Sequence, residues 1–546
     1  MLSTLLNKIL QLKTDPVLRR WLAGRALGQW PGEPAFRAHR PPYLEGLLPL
    51  NLETPSADFQ ELPHTEPTTS ISLSLAGETI TLTPGDETTL FQRSFKDIES
   101  NLALHRFAWL PLLSKDADPV WVATIWRAWV KDHGIPDNSW AWHPYTAAER
   151  AINILVFAQH TGLPGPLNNS LSILAAHGPA IAERLEYFGD HHTSNHLANN
   201  GRGLFLLGLS LGLPKCAELG GLILIEEAAR IFTSSGILRE GSSHYHALLG
   251  ANYSQCADAA ADIERPEAQA LSAIARRARN VTGCLKLPGG FPLIGDISPD
   301  LPPQSVLQAL DATEESNAQA LAKDGWHRLD SPPWSGLWHV SPDGFSHMPG
   351  HGHQDCGSFE LHFKDQPVFI DPGRGSYGES GEAALYRSGQ VHNTLLIDGA
   401  DPYPANKPYY CDAFRRHIAG PPLEVEQHEN SLRLSHDGFK RLKNVRTICR
   451  HWQFSPTSMA LNDQIDGSHK HHLSRVLVTP LDVTQTNVGV ELRGKDVAFS
   501  LSVDGDITIE PITRWTAYGR GEPATAIRIA SKVTLPWTGT LSLEVL

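Results

Sequence analysis

The apolar spacing of this chain changes period once, near Lys323-Asp324-Gly325, and that change limits the folds available to it. From about Lys96 to Leu321 apolar residues recur at helical intervals. Helices read at 147–159, 170–188, 196–211, 217–233 and 268–280, joined by short turns such as Gly212-Leu213-Pro214. Thr146-Ala147-Ala148-Glu149 has the form of a capping box opening the first of these, and Pro266 stands at the start of the last. Beyond Gly325 the helical period vanishes, and alternating segments follow at 337–340, 447–454, 473–478, 497–503, 507–512 and 541–546. Many strands without intervening helices form an antiparallel sandwich. The length of 546 residues also exceeds what a single core holds. The expected chain is therefore multidomain α+β. It has an N-terminal lobe with a short helix and a hairpin (1–95), a helical domain (96–324) and an antiparallel β-sandwich (325–546). Antiparallel helix pairs on short connections build either a bundle or an α/α toroid, and the spacing does not choose between them.

The densest cluster of chemistry lies just inside the sandwich. His351-Gly352-His353-Gln354-Asp355 is followed by Asp371-Pro372-Gly373 and by His392-Asn393-Thr394. Residues 357–371 read as two alternating segments hinged at Lys364-Asp365-Gln366, which brings His353 and Asp371 together at the open end of a hairpin. The strand-like run after His392 brings that residue to the same end. Two imidazoles and a carboxylate suit zinc better than calcium or magnesium, which take oxygen ligands. The alternative is a set of hydrogen-bonded sheet histidines with no metal.

The segments HGHQDCGSFEL, FIDPGRGSYG and YRSGQVHNTLLIDG, spanning His351 to Gly399, closely resemble the C-terminal sandwich of the heparinase II/III-like polysaccharide lyases. Upstream, Ser194-Asn195-His196-Leu197 resembles that family's Asn-bearing helix start, and the segment from Glu240 to His246 resembles its Tyr-His segment. His244 departs from the small or apolar residue of the family pattern, and Glu240-Gly241 from its Asp-Gly. The resemblance implies an incomplete α/α toroid whose inner helices line a groove, followed by the sandwich. It implies that His351 is catalytic together with Asn195, His196 and Tyr245, and that His353, Asp371 and His392 hold a structural zinc. Trp142, with Trp140, His143 and Tyr145, is a candidate for stacking on sugar rings. Arg239, Tyr386 and Arg387 lie near the motifs and are further substrate-binding candidates.

The chemistry implied is β-elimination from a polysaccharide containing uronic acid. The proton at C5 leaves, the oxygen at C4 is expelled, and the product is an unsaturated uronate. The substrate carboxylate resists further negative charge, so it must be neutralised in the transition state, the task expected of Asn195 and His196. A base and an acid must also reach C5 and the leaving oxygen. An unperturbed tyrosine pKa of about 10 suits Tyr245 to be the acid, or both acid and base, with His351 the base when proton and leaving group are anti.

A formal net charge of −13 speaks against a nucleic-acid partner and requires that a cleft for an acidic polysaccharide be locally basic. The six cysteines have no paired spacing. Residues 1–13 read as an amphipathic helix and not as a secretory signal, and no window approaches the ~20 apolar residues of a membrane span. The expectation is cytoplasmic, or exported if a leader has been removed, with a homo-oligomer as an open option. Two rivals stand beside the lyase. One is a glycoside hydrolase drawing two carboxylates from Glu149, Asp190, Glu240 and Asp355. The other is a glycan-binding protein of a polysaccharide-synthesis pathway that keeps the fold without the activity.

Overall fold

The computed structural model describes residues 12–31, 39–113, 116–190, 192–310, 318–346, 348, 350–487 and 489–546. The amphipathic helix expected at 1–13 lies almost wholly outside them. A helix does form at Pro16–Ala26, where Asp15 accepts a hydrogen bond from the Leu18 amide and Pro16 supplies a preset φ in the first turn. Its buried face, Val17, Leu18 and Trp21, packs into the core of the sandwich, with Trp21 5.0 Å from Phe414. The hairpin of Ile71–Ser74 and Thr79–Leu82 instead joins the core of the helical half. The N-terminal lobe is thus divided between the two larger bodies.

The helical half runs through Ile98–Arg106, Pro119–His133, Pro144–Thr161, Leu167–Glu183, Asn195–Leu211, Pro214–Ile231, Ser243–Asp262 and Ala268–Leu285. The capping box expected at Thr146 does not form. Pro144 begins that helix two residues earlier, so Thr146 and Glu149 are interior positions, and Glu149 turns to Arg202 and Asn199. Asn195–Leu211 closes on Gly212 in the left-handed conformation, φ 66°, and Pro214 opens the next helix straight away. That sharp reversal explains why these two helices lie against one another.

From Trp326 onward the regular structure is mainly antiparallel strand. A four-stranded sheet runs Trp326–Ser331, Trp334–His339, Ser358–Phe363, Gln366–Phe369. A ten-stranded sheet is built around the long pair Ser458–Thr479 and Arg520–Val545. Trp334, Trp338, Phe359, Trp452, Phe454 and Phe499 fill the space between the two. Ser358–Phe363 is buried on both faces. Its apolar side meets the large sheet, while His362 accepts a hydrogen bond at Nδ1 from the Gly289 amide of the helical half. The smaller sheet is therefore a middle layer, and its end is where the two halves of the molecule meet. No helix among the described residues is long and apolar enough to cross a membrane.

Candidate active site

Two helix starts aim side chains at this interface. Ser194 caps the helix that begins at Asn195, and the Asn195 amide donates to Glu240 Oε1 at 2.7 Å. The Asn195 side chain is 2 % exposed, and its Oδ1 has no hydrogen-bond partner among the described residues. One residue on, His196 keeps part of its ring in solvent, with Nδ1 2.7 Å from Glu186 Oε1. Burial alone would raise the Glu186 pKa, but the charge and hydrogen bond of His196 outweigh it and bring Glu186 down to about 2. His196 moves the opposite way: burial opposes its charge, Glu186 outweighs burial, and the pKa rises. The Tyr145 ring packs 4.9 Å from His196, and its hydroxyl donates to Asp300, which Arg106 also holds.

Tyr245 sits in the first turn of the second helix, where Ser242 Oγ accepts its amide hydrogen. Burial, followed by the charge of Asp300, pushes its phenol well above the ordinary value. Across the interface its ring lies 5.3 Å from the ring of His351. His244, the residue that departs from the family pattern, is buried, and its Nδ1 accepts from the Ser298 amide. It fastens the 296–300 segment beside Tyr245.

That segment contains the residue on which the site turns. Buried Asp296 pairs with His351 Nδ1 (3.0 Å), His353 Nε2 (2.8 Å) and Arg374 (3.1 Å). Burial opposes its charge, but the hydrogen bonds of His351 and His353 hold its pKa well below the usual carboxylate range. Burial opposes the charge of His351, but its hydrogen bond to Asp296 and the charges of Glu240 and Asp296 together raise it. Neither Asp296 nor Tyr377, whose hydroxyl lies 2.7 Å from that of Tyr245, was singled out by the sequence. Both occupy irregular Gly- and Pro-bearing loops. The available signal was two aspartates, at 296 and 300, in the loop just ahead of the domain boundary.

His353, Asp371 and His392 come together as the hairpin reading predicts, but as a chain and not around one point. His353 Nδ1 faces His392 Nε2 at 3.3 Å, and Asp371 Oδ2 pairs with the other nitrogen of His392 at 2.9 Å. Among the described residues, no group of three or more His, Cys, Asp or Glu is arranged to hold a metal ion. The two facing nitrogens stand near the separation of two ligands on a tetrahedral zinc with bonds of about 2.0–2.1 Å. Asp371 stands where a carboxylate orients a ligating imidazole. Two imidazole nitrogens thus stand where one ion could meet both, and Asp371, expected as a third ligand, lies against the far nitrogen of His392 instead.

The substrate-binding expectations need correction. Trp142 is fully buried, donates to the His133 carbonyl and packs on His177 and Arg150, so it anchors the core and offers no face to a sugar. Tyr386 is also buried, its hydroxyl donating to the Thr513 carbonyl. Arg239 holds the backbone of Asp190 and Thr193 just ahead of Asn195, and Arg387 holds the Gly352 carbonyl between the two histidines of the motif. Both arginines support the site's loops. Of the aromatic set before Pro144, Trp140 is 54 % exposed and packs on His143. The four carboxylates nominated for hydrolysis are engaged separately: Glu149 with Arg202, Asp190 with Arg230, Glu240 with the Asn195 amide and Asp355 with His339. A cavity of about 930 Å³ opens in the helical half, lined by Ile152, Phe157, Arg202 and Leu248, but Asn195, Tyr245 and His351 are not in its wall.

Comparisons with known proteins bear on the fold that carries this geometry. Residues 313–538 match the family model described as heparinase II/III-like, C-terminal. Among solved structures, heparinase III superposes with a TM-score of 0.61 at 16% identity, over 84% of this chain and 79% of that one. The heparinase III BT4657 gene product gives 0.57 at 14% identity, over 98% and 91%. The heparan sulfate lyase HepC from Pedobacter heparinus gives 0.51 at 16%, over 83% and 78%. No curated protein sequence matches the chain. The fold is that of these structures, a helical toroid followed by an antiparallel sandwich.

Proposed function

The C-terminal half of this chain carries a heparinase II/III-like domain, and from that premise we propose that the protein is a polysaccharide lyase. It cleaves a uronic-acid-containing polysaccharide by β-elimination in the cleft between toroid and sandwich. The observation that carries this reading is the pairing of Tyr245 with His351 across the interface, their rings 5.3 Å apart, each held by a separate buried network. An acid and a base held side by side can both reach the C4–C5 bond of one sugar.

The roles follow from the partners of each group. Asp296 engages Nδ1 of His351, which leaves Nε2 for the cleft, the arrangement by which a carboxylate fixes the tautomer of a catalytic histidine. His351 then takes the C5 proton. Tyr245 keeps its proton because its phenol is raised by burial, and it donates that proton to the departing C4 oxygen. The Asn195 side-chain amide and His196, held by Glu186, receive the substrate carboxylate as charge builds at C5. Hydrolysis is less well supported, because its four nominated carboxylates engage four different partners.

A zinc ion held by His353 and His392, with Asp371 orienting the latter, would pin the loop that carries His351 and supply no chemistry to the reaction. The substrate class is tested by following ultraviolet absorbance of the unsaturated product across a panel of heparan sulfate, hyaluronan, alginate and bacterial exopolysaccharides. The reading predicts a rise with at least one polymer that His351→Ala abolishes. A flat trace with every polymer, from a protein that still binds one of them, would favour the non-catalytic glycan-binding rival.

A further inference from the structure

We propose that Tyr377 stabilises, by donating a hydrogen bond, the phenolate left on Tyr245 when Tyr245 gives up its proton, and that the tip of the Asp506–Ala517/Arg520–Val545 hairpin holds Tyr377 in place. The proposal rests on the elimination reading above.

Counting hydrogens fixes the resting arrangement. The Tyr377 hydroxyl lies 2.7 Å from the Tyr245 hydroxyl and 3.1 Å from the Ile297 carbonyl. A carbonyl oxygen only accepts, and a phenol has a single proton to give. With both tyrosines neutral, Tyr377 donates to Ile297 and Tyr245 donates to Tyr377. A leaving oxygen in the cleft competes for the Tyr245 proton. When Tyr245 turns to it, the Tyr377 hydroxyl swings from Ile297 to the Tyr245 oxygen. The electron pair of the C5–H bond becomes the new C4–C5 π bond, and the C5 proton goes to His351. The C4–O pair leaves with the oxygen, which takes the Tyr245 proton. The phenolate that remains accepts from Tyr377 until it regains a proton from water.

Such support is needed because burial disfavours a phenolate on Tyr245, and Tyr377 is the hydrogen-bond partner of its hydroxyl among the described residues. A hydrogen bond to an ionised oxygen is stronger than one between neutral groups. The nearby cation, Arg374, is bound to Asp296 and to the carbonyls of Ala383 and Gly378, and reaches Tyr377 only through its ring face.

The hairpin tip locates Tyr377 from behind. The Tyr377 amide donates to the Tyr518 hydroxyl at 3.2 Å, and that hydroxyl donates to Asp97, which also caps the helix Ile98–Arg106. Trp515 and Gly519 donate backbone hydrogen bonds to Pro372 and Gly375 on the same loop. Gly519, at φ 66°, approaches Gly77 of the N-terminal hairpin so closely that a Cβ on it would stand 2.1 Å from the Gly77 Cα. Three distant stretches of chain therefore meet behind one hydroxyl group.

The test compares wild type, Tyr377→Phe and Tyr518→Phe on two probes: the polymer of the panel that wild type cleaves, and a synthetic uronate with fluoride at C4, whose departure needs no proton from Tyr245. Tyr377→Phe should lower kcat on the polymer by about ten- to a hundred-fold, the range of one hydrogen bond to a charged group, with KM nearly unchanged. On the fluoride probe it should turn over within about two-fold of wild type, which also certifies its fold. Tyr518→Phe, which keeps the Tyr377 hydroxyl but loosens it, should give a smaller loss of the same kind. An equal loss on both probes, or no loss on either, would overturn the proposal. A wild type that eliminates no polymer of the panel and not the fluoride probe would instead sink the elimination reading, and the proposal with it.

Discussion

The carboxylate of Asp296 lies 3.0 Å from His351 Nδ1, joining a loop of the helical half to the first histidine of the sandwich motif. The same carboxylate holds His353 and Arg374, so the aim of His351 and part of the junction between the two halves rest on one buried residue.

Asp296→Asn should therefore damage stability and turnover together. Removing that charge leaves the Arg374 guanidinium buried without its ion pair, a loss of roughly 3–5 kcal/mol for pairs of this kind. Denaturant unfolding should report it, accompanied by a fall in kcat on whichever polymer the wild type cleaves. Unchanged stability would mean that the junction is held elsewhere.

Tyr245→Phe keeps the ring against His351 and removes the acid. General acid–base groups contribute typically 10²–10⁴-fold, so kcat should fall by about that factor while substrate binding persists. Steady-state kinetics on the cleaved polymer would decide it, and retention of most turnover would exclude Tyr245 as the acid.

The Glu186–His196 pair gives a prediction about pH. Glu186 is depressed to about 2 from an ordinary 4.5, so its contribution to stability is present above 4.5 and fades as pH falls towards 2. His196 is raised, so its contribution is full below its ordinary 6.5 and fades as pH rises through the higher folded value. The stability gap between wild type and Glu186→Gln should be widest between about pH 4.5 and 6.5 and should narrow on both sides. Denaturation curves across that range would show it, and a gap independent of pH would refute the pairing.

Purified protein should carry about one zinc per chain, and chelation should lower the melting temperature along with activity. His353→Ala and His392→Ala should lose the metal. Metal analysis that finds none, with a melting temperature indifferent to chelator, would leave these histidines as a hydrogen-bonded chain.

Asn393 makes the sharpest prediction about the fold. Its side-chain amide donates to the carbonyls of Phe359 and Ile370 and accepts from the Val478 amide, tying strands of both sheets beside the site. Asn393→Leu would strand three buried backbone groups at about 1–3 kcal/mol each, so a loss of roughly 3 kcal/mol or more is expected in equilibrium unfolding.

The division into helices and sandwich was legible because periods of 3.6 and 2 are written directly in the apolar residues. The hairpin of residues 357–371 was legible for the same reason, and its turn falls at Lys364, φ 53°. Helix starts were less so: Thr146 and Glu149 imitate a capping box, but Pro144 opens the helix first. Trp142 shows why aromatic residues mislead, since the sequence does not say which way a ring beside a helix start turns, and this one turns inward. Asp296, Tyr377 and Tyr518 reach the site from a loop before the sandwich, a loop inside it and a hairpin tip near the C-terminus. No periodic pattern links positions so far apart. Only tertiary folding brings them together.

The most direct test of the elimination reading is the mass of the products formed in water enriched in oxygen-18. Elimination predicts that the two fragments together have the mass of the uncut polymer, with one unsaturated end and no oxygen-18 taken up at the cleaved bond. Fragments that together gain one water and carry oxygen-18 at the new end would contradict it, identifying a hydrolase on the same scaffold.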